Sequence, residues 1–181
     1  MKNLILLILV SSTLLTGCYK VLNNIKLGDL PAETQIGANT FGCLINGKGF
    51  IPQTHFAVPP PDFLKAGYTA HYGIYDWQIS IYATDNNNTP YTNVSLYIDT
   101  LGLRTGSTIV LHRDTSGHRS SADLRQFNHY YVVPPLAGEL HILKYDVPGK
   151  ILAGTFSFSA VDTTSGERAV ITEGRFDVKL N

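Results

Sequence analysis

From about residue 38 onward, apolar side chains recur at every second position in short runs, and clusters of turn-forming residues separate the runs. A period of two is what a strand with one face on a core requires. DWQISIYAT (Asp76 to Thr84) sets Trp77, Ile79, Ile81 and Ala83 on one face and Gln78, Ser80, Tyr82 and Thr84 on the other. TNVSLYID (Thr92 to Asp99) repeats the pattern with Val94, Leu96 and Ile98 inward. Thr40 to Pro52 reads as two strands joined at Asn46-Gly47, a dipeptide suited to the positive φ angles of a tight hairpin turn. Shorter strands are expected at Ser107 to His112 and at His129 to Val133. The last third predicts a meander of Gly138 to Asp146, Lys150 to Asp162 and Arg168 to Leu180. Its inward candidates are Leu140 and Ile142, then Leu152, Phe156, Phe158 and Ala160, then Phe176, Val178 and Leu180, with Arg175, Asp177 and Lys179 outward. Gln53 to Gly67 contains Pro59-Pro60-Pro61 and reads as a surface loop. Arg113 to Asp123 reads as a polar loop. The expected fold is all-β, an antiparallel β-sandwich over residues 38–181, with an open β-barrel as the alternative.

The N-terminus breaks this pattern. Lys2 precedes the apolar run Leu4 to Val10, and small residues follow, which predicts an export-signal helix over residues 1–17. The run is shorter than the roughly 20 apolar residues of a spanning helix. Leu15-Thr16-Gly17-Cys18 resembles the lipobox of bacterial lipoproteins. That resemblance implies a diacylglycerol on the Cys18 thiol, cleavage before Cys18 and an acyl chain on the new amine. One acyl chain holds a protein on a membrane only marginally, whereas two or three make attachment durable. Residues 18–37 would be the lipidated cysteine and a tether. Tyr19 follows the cysteine where an Asp would retain it at the inner membrane, so resemblance to the sorting rule of diderm bacteria favours the outer membrane. No acidic cluster follows Cys18, and periplasm-facing and surface-exposed positions both stay open.

Two further stretches resemble a family of small Bacteroidota lipoproteins of unknown function. LPAETQIGANTFGCLINGKGF at the start of the domain is similar to the family's opening, NTFGC-x-x-NGK. GTFSFSA and ITEGRFDVK are similar to its closing meander. The resemblance implies a tethered β-rich domain at the outer membrane and carries no catalytic residues. Asn46-Gly47, Gly154, Gly174, Phe156, Phe158 and Phe176 within these stretches suit structural work: a turn, close backbone approach and a core.

Charge narrows the partners. The 14 basic and 14 acidic residues cancel, so neither the basic stripe of a nucleic-acid binder nor a polybasic membrane contact is present. With Cys18 acylated, Cys43 has no partner and reads as a small buried hydrophobe between Phe41 and Ile45.

Catalytic motifs are missing from the sequence. There is no GxSxG, Walker A, GxGxxG or HExxH string. The six histidines, His55, His71, His112, His118, His129 and His141, are scattered, although His112, Asp114, His118 and His129 lie near one polar loop. Tyr68, Tyr72, Tyr75 and Trp77 cluster in one stretch and Tyr130 with Tyr131 in another. Aromatic rings beside polar loops can form a platform for a glycan or peptide, or simply be strand residues. Asp99-Thr100-Leu101 and Asp162-Thr163-Thr164 resemble short O-glycosylation motifs of exported Bacteroidota proteins. The expectation is a non-enzymatic envelope lipoprotein with no cofactor beyond its lipid, held on the membrane and either binding a partner, a protein or glycan, or supporting the cell envelope. The alternatives are a glycan-binding or glycan-hydrolysing lipoprotein using Tyr68, Tyr72, Tyr75 and Trp77, and a metal-binding one.

Overall fold

The computed structural model describes residues 27–53, 63–70, 77–86, 91–112 and 120–181, with the side chains of all but Ala70 and Trp77. The segment read as an export signal, Cys18, the start of the segment read as a tether, Pro59-Pro60-Pro61, Tyr72, Tyr75, His55, His71 and His118 lie outside the described residues.

The fold is all-β. The strands are β1 (Thr40–Ile45), β2 (Lys48–Phe50), β3 (Leu64–Ala70), β4 (Trp77–Asp85), β5 (Thr92–Asp99), β6 (Thr108–Leu111), β7 (Ser121–Arg125), β8 (His129–Tyr131), β9 (Gly138–Asp146), β10 (Ile151–Asp162) and β11 (Arg168–Lys179). A 3-10 turn at Leu27–Asp29 is the one helical element among the described residues. Every ladder between these strands is antiparallel. The order is β2-β1-β11-β10-β8-β7-β5-β4-β3, with β9 and β6 branching from β10.

The branch makes the sandwich. Ile151 to Phe158 of β10 pair with β9, and Val161 and Asp162 pair with β8 instead. A strand that changes partner along its length turns a corner between two layers. One layer is β6-β9-β10-β11-β1-β2 and the other is β3-β4-β5-β7-β8. The layers touch again through single backbone bonds, Asn181 N–H to the Ala66 carbonyl at 3.1 Å and His112 N–H to the Ser120 carbonyl at 3.1 Å. These do not close a barrel.

One core fills the space between the layers. Ile79, Ile81, Val94, Leu96, Ile98 and Leu124 from one side meet Phe41, Leu140, Ile142, Leu152, Phe156 and Ile171 from the other. Burying each such side chain stabilises by about 1.5–3 kcal/mol. Phe156 sits at the centre of an aromatic group, 5.2 Å from Phe41 and 6.3 Å from Phe176 between ring centroids. Gly174 faces it, and a Cβ there would meet the Phe156 ring and carbonyl at 2.5 Å. Cys43 is fully buried, and burial pushes its thiol pKa far up, which leaves it unreactive.

The expected alternation holds in β4, β5 and the meander, and the turn at Asn46 (φ 49°) and Gly47 (φ 77°) has the expected left-handed pair. Three departures have physical causes. β7 begins inside the stretch read as a polar loop, because SADLR offers only Ala122 and Leu124 to the core. β3 begins inside the stretch read as a loop after the prolines, because its inward residues at the start are only Leu64 and Ala66. In β11 an extra residue at Glu173 (φ 53°) bulges against both β1 and β10. The bulge reverses the parity, so Ala169 and Ile171 point inward before it and Phe176, Val178 and Leu180 after it.

Candidate functional site

The outward surface of the β3-β4-β5-β7-β8 layer is built by simple alternation. Inward positions of these strands are taken by the core, so the intervening residues face out. Cross-strand register aligns them in rows: Lys65, Tyr82, Ser95, Asp123 and Tyr131 form one row, with Gly67, Ser80, Tyr97 and Ser121 on one side. Thr84, Asn93, Arg125 and His129 form the row on the other side. None of the outward positions carries an aliphatic side chain.

Two aromatic pairs occupy this surface. Tyr82 and Tyr97 meet edge to face at 5.8 Å. His129 lies over Tyr131 with ring centroids 4.2 Å apart. Ser80 and Ser95 point outward yet are only 2% exposed. Tyr82 remains 37% exposed. Burial, then the Asp123 carboxylate and Tyr82, push the Tyr97 phenol pKa well up, which keeps it a neutral donor and acceptor. His129 Nδ1 shares a hydrogen bond with the Tyr131 hydroxyl at 2.8 Å, while Nε2 is buried 3.5 Å from Asp123 Oδ2 without a hydrogen-bond partner. Between the pairs, Ser95 Oγ donates to Asn93 Oδ1 at 2.7 Å, and Asn93 Nδ2 donates to Thr84 Oγ1 at 2.9 Å. The result is a surface of paired aromatic rings with hydrogen-bonded polar groups between them.

The opposite outer surface, on the β6-β9-β10-β11-β1-β2 layer, is covered in part. Residues 27–38, which include the described part of the segment read as a tether, lie against it. Leu30 and Pro31 pack on Gly42, where a Cβ would meet Pro31 Cδ at 2.7 Å. Asp177 points outward, as the pattern predicts, yet it is 1% exposed. Its carboxylate accepts from Thr34 Oγ1 at 2.6 Å and from the N–H groups of Ile36, Gly37 and Ala38 at 3.0, 2.7 and 3.2 Å. Burial alone would raise its pKa; the four hydrogen bonds outweigh that and hold the carboxyl below its ordinary range. Lys144 Nζ adds a bond to the Gln35 carbonyl at 3.1 Å.

Of the four clustered aromatic candidates from the sequence, Tyr68 is the one whose side chain is described. Tyr68 sits at the edge of the sandwich, away from Tyr82 and Tyr97, and its hydroxyl meets that of Tyr145 at 3.2 Å. Burial, followed by the Tyr68 bond, pushes Tyr145 up to about 12. Trp77 starts β4. Tyr130 and Tyr131 separate, Tyr130 into the core and Tyr131 onto the outer surface, because adjacent strand residues point to opposite faces. Tyr82 and Tyr97 were legible only as outward strand positions; their pairing depends on register, which alternation does not supply.

The histidines also separate. His129 joins the tyrosine surface, and His141 lies on the other layer, with Nδ1 2.9 Å from Thr108 Oγ1 and Nε2 3.4 Å from Glu139. His112 lines an open cleft of about 360 Å³ with Asp99, Ser107 and Ser120. Ser120 Oγ accepts there from the Asp99 N–H at 2.9 Å, and Asp99 Oδ1 accepts from the Leu101 N–H at 2.8 Å, so both groups hold the turn after β5. Among the described residues no three His, Cys, Asp or Glu side chains gather as metal ligands. Thr163 and Thr164 are exposed in a turn held by Asp162, which accepts from Ser165 Oγ and the Thr164 N–H; Thr100 is half-buried.

Compared with protein-family models, with curated proteins and with solved structures, the chain matches none of them.

Proposed function

We propose that this protein is a lipid-anchored envelope protein whose β-sandwich is a non-enzymatic binding module, with the tyrosine surface of the β3-β4-β5-β7-β8 layer as its contact face. The contrast between the two outer surfaces carries the reading. The anchor side of the chain reaches the domain along the covered layer, where Asp177 pins it. On the polar-aromatic layer of the other side Tyr82 is 37% exposed. The anchor itself rests on Leu15-Thr16-Gly17-Cys18 behind an apolar run, and on the likeness to small Bacteroidota lipoproteins. Diacylglycerol and an acyl chain on Cys18 would hold the protein at the outer membrane. From Cys18 to Leu27 the chain reaches at most about 30 Å, at roughly 3.3–3.6 Å per residue, so the module would stay close to the bilayer.

Cys18→Ser tests the anchor. In detergent phase partition of whole cells, the native protein is expected in the detergent phase and Cys18→Ser in the aqueous phase. A Cys18→Ser protein that stays with detergent defeats the anchor.

A further inference from the structure

We infer that the sandwich rests on the bilayer by one rim, with Phe63, Tyr91 and Phe127 at the level of the lipid headgroups; the inference rests on the reading of Cys18 as a lipid anchor. Strand register brings these three residues to one end of the β3-β4-β5-β7-β8 layer. Phe63 precedes β3, and its carbonyl accepts from the Thr84 N–H at 2.8 Å. Tyr91 precedes β5, whose first residue Thr92 is paired with Asp85. Phe127 sits in the turn between β7 and β8, where Arg125 pairs with both His129 and Asn93. Gln126 Nε2 donates to Thr92 Oγ1 at 3.3 Å and ties that turn to the start of β5. The three residues are 41%, 46% and 80% exposed. Three strand intervals separate β3 from β7, so the rim spans about 14 Å at the usual spacing between paired strands.

The course of the chain selects the bilayer. Traced back from Ala38, the N-terminal segment crosses the outside of the other layer strand by strand. Gly37 lies against Ile151 of β10 and Lys179 of β11, and Thr34 bonds Asp177 of β11. Leu30 and Pro31 lie on Gly42 of β1, near the Phe50 carbonyl of β2. The direction is toward the β2 edge. Beyond β2, Gln53 bridges to Asp85, and its N–H donates to the Thr84 carbonyl at 3.0 Å. The N-terminal side of the chain therefore leaves the domain on the side of the aromatic rim. Cys18 lies at most about 30 Å beyond Leu27, so a lipid there would hold this side toward the membrane. Aromatic side chains favour the boundary between headgroups and acyl chains. The balanced charge of the chain gives no electrostatic pull, which leaves apolar contact to set the orientation. The strands of this layer then run away from the membrane, and the surface with Tyr82 and Tyr97 faces sideways.

The test uses the full-length lipidated protein in vesicles of phosphatidylethanolamine and phosphatidylcholine. With Cys18 acylated and Cys43 buried and unreactive, Phe127→Cys supplies the one thiol that takes a fluorescent label. Leu101→Cys, at the far end of β5 and on an 81% exposed residue, carries the label as a control. Nitroxide-bearing lipids should quench the label at position 127 and leave the one at position 101 bright. Adding Phe63→Ser and Tyr91→Ser should lift the label at 127 out of the bilayer, with loss of most of its quenching. Thermal melts of each variant separate loss of contact from loss of fold. Vesicle flotation separates the two readings. Protein that floats with its labels at 127 and 101 quenched alike overturns the rim contact and leaves the anchor standing. So does quenching at 127 that folded Phe63→Ser, Tyr91→Ser protein keeps in full. Protein that does not float ends both. A photo-crosslinker at position 127 in intact cells should capture lipid; capture of a protein in its place also overturns the rim contact.

Discussion

The two outer surfaces of the sandwich arise by the same alternation and end in opposite states. On the β6-β9-β10-β11-β1-β2 layer the outward residues include aliphatics, such as Leu44 and Ile151, and a non-strand segment lies over part of them. Where that cover stops, Val110 and Val170 are 57% and 46% exposed beside an open groove of about 450 Å³. On the β3-β4-β5-β7-β8 layer the outward residues are polar or aromatic throughout, and tyrosines and a histidine lie along the sheet. Alternation decides which residues leave the core. It does not decide what they meet outside. Asp177 and Asp123 are both outward carboxylates with little exposure, but one is sealed by backbone N–H groups and the other lies beside a histidine.

The largest expected effect breaks the covered side. Asp177→Ala leaves three N–H donors and the Thr34 hydroxyl without their acceptor. Removing one partner from a buried charged hydrogen-bond group costs about 3 kcal/mol. At roughly 2–4 °C per kcal/mol for a domain of this size, the melting temperature should fall by about 10 °C. A melt within a degree or two of the native protein's would show that the carboxylate does not hold the segment down.

Acid should loosen the same contact by a smaller and graded amount. The Asp177 carboxyl titrates below its ordinary range when folded, so its contribution to stability is complete above the unfolded value of about 3.9 and is lost as pH falls through the lower folded value. Asp162 adds to the same limb, since the Ser165 hydroxyl and the Thr164 N–H lower its pKa too. Denaturant midpoints measured from pH 6 down to pH 2 should therefore decline, and Asp177→Asn should decline less steeply from a lower start. Equal slopes in the two proteins would assign the acid loss to other groups.

These two carboxylates also mark where sequence reading stops. The strands with large inward residues, β4, β5 and the β9 to β11 meander, are legible because Ile, Leu, Val and Phe recur at period two and turn residues bound them. β7 is hidden because two inward residues in five are too few to show a period. The Glu173 bulge is hidden because a parity change looks like noise until register with both neighbours is known. The candidate surface was half legible. Tyr82 reads as outward from its own strand, but its place in a row with Asp123 and Tyr131 needs the registers of three strand pairings, one of them between strands that are not consecutive. The Asp177 contact joins residues 139 to 143 positions apart, and no local pattern encodes it.

The smallest expected effect lies on the tyrosine side, and its smallness is what distinguishes a binding surface from a packed one. Tyr82→Ala removes one edge-to-face ring contact with Tyr97 and little buried area, because the side chain is already partly in water. Such a pair contributes about 0.5–1.5 kcal/mol beyond area, and exposed substitutions otherwise fall within roughly 0.5 kcal/mol. Stability should thus drop by about 1 kcal/mol or less, a shift of a few degrees, well short of the Asp177→Ala loss. If Tyr82→Ala melted as early as Asp177→Ala, the tyrosine would be holding the sheet together, and the tyrosine layer would be as structural as the covered one. If it barely moved the melt, the rings would lie on this surface without being needed for folding, as residues kept for a ligand would.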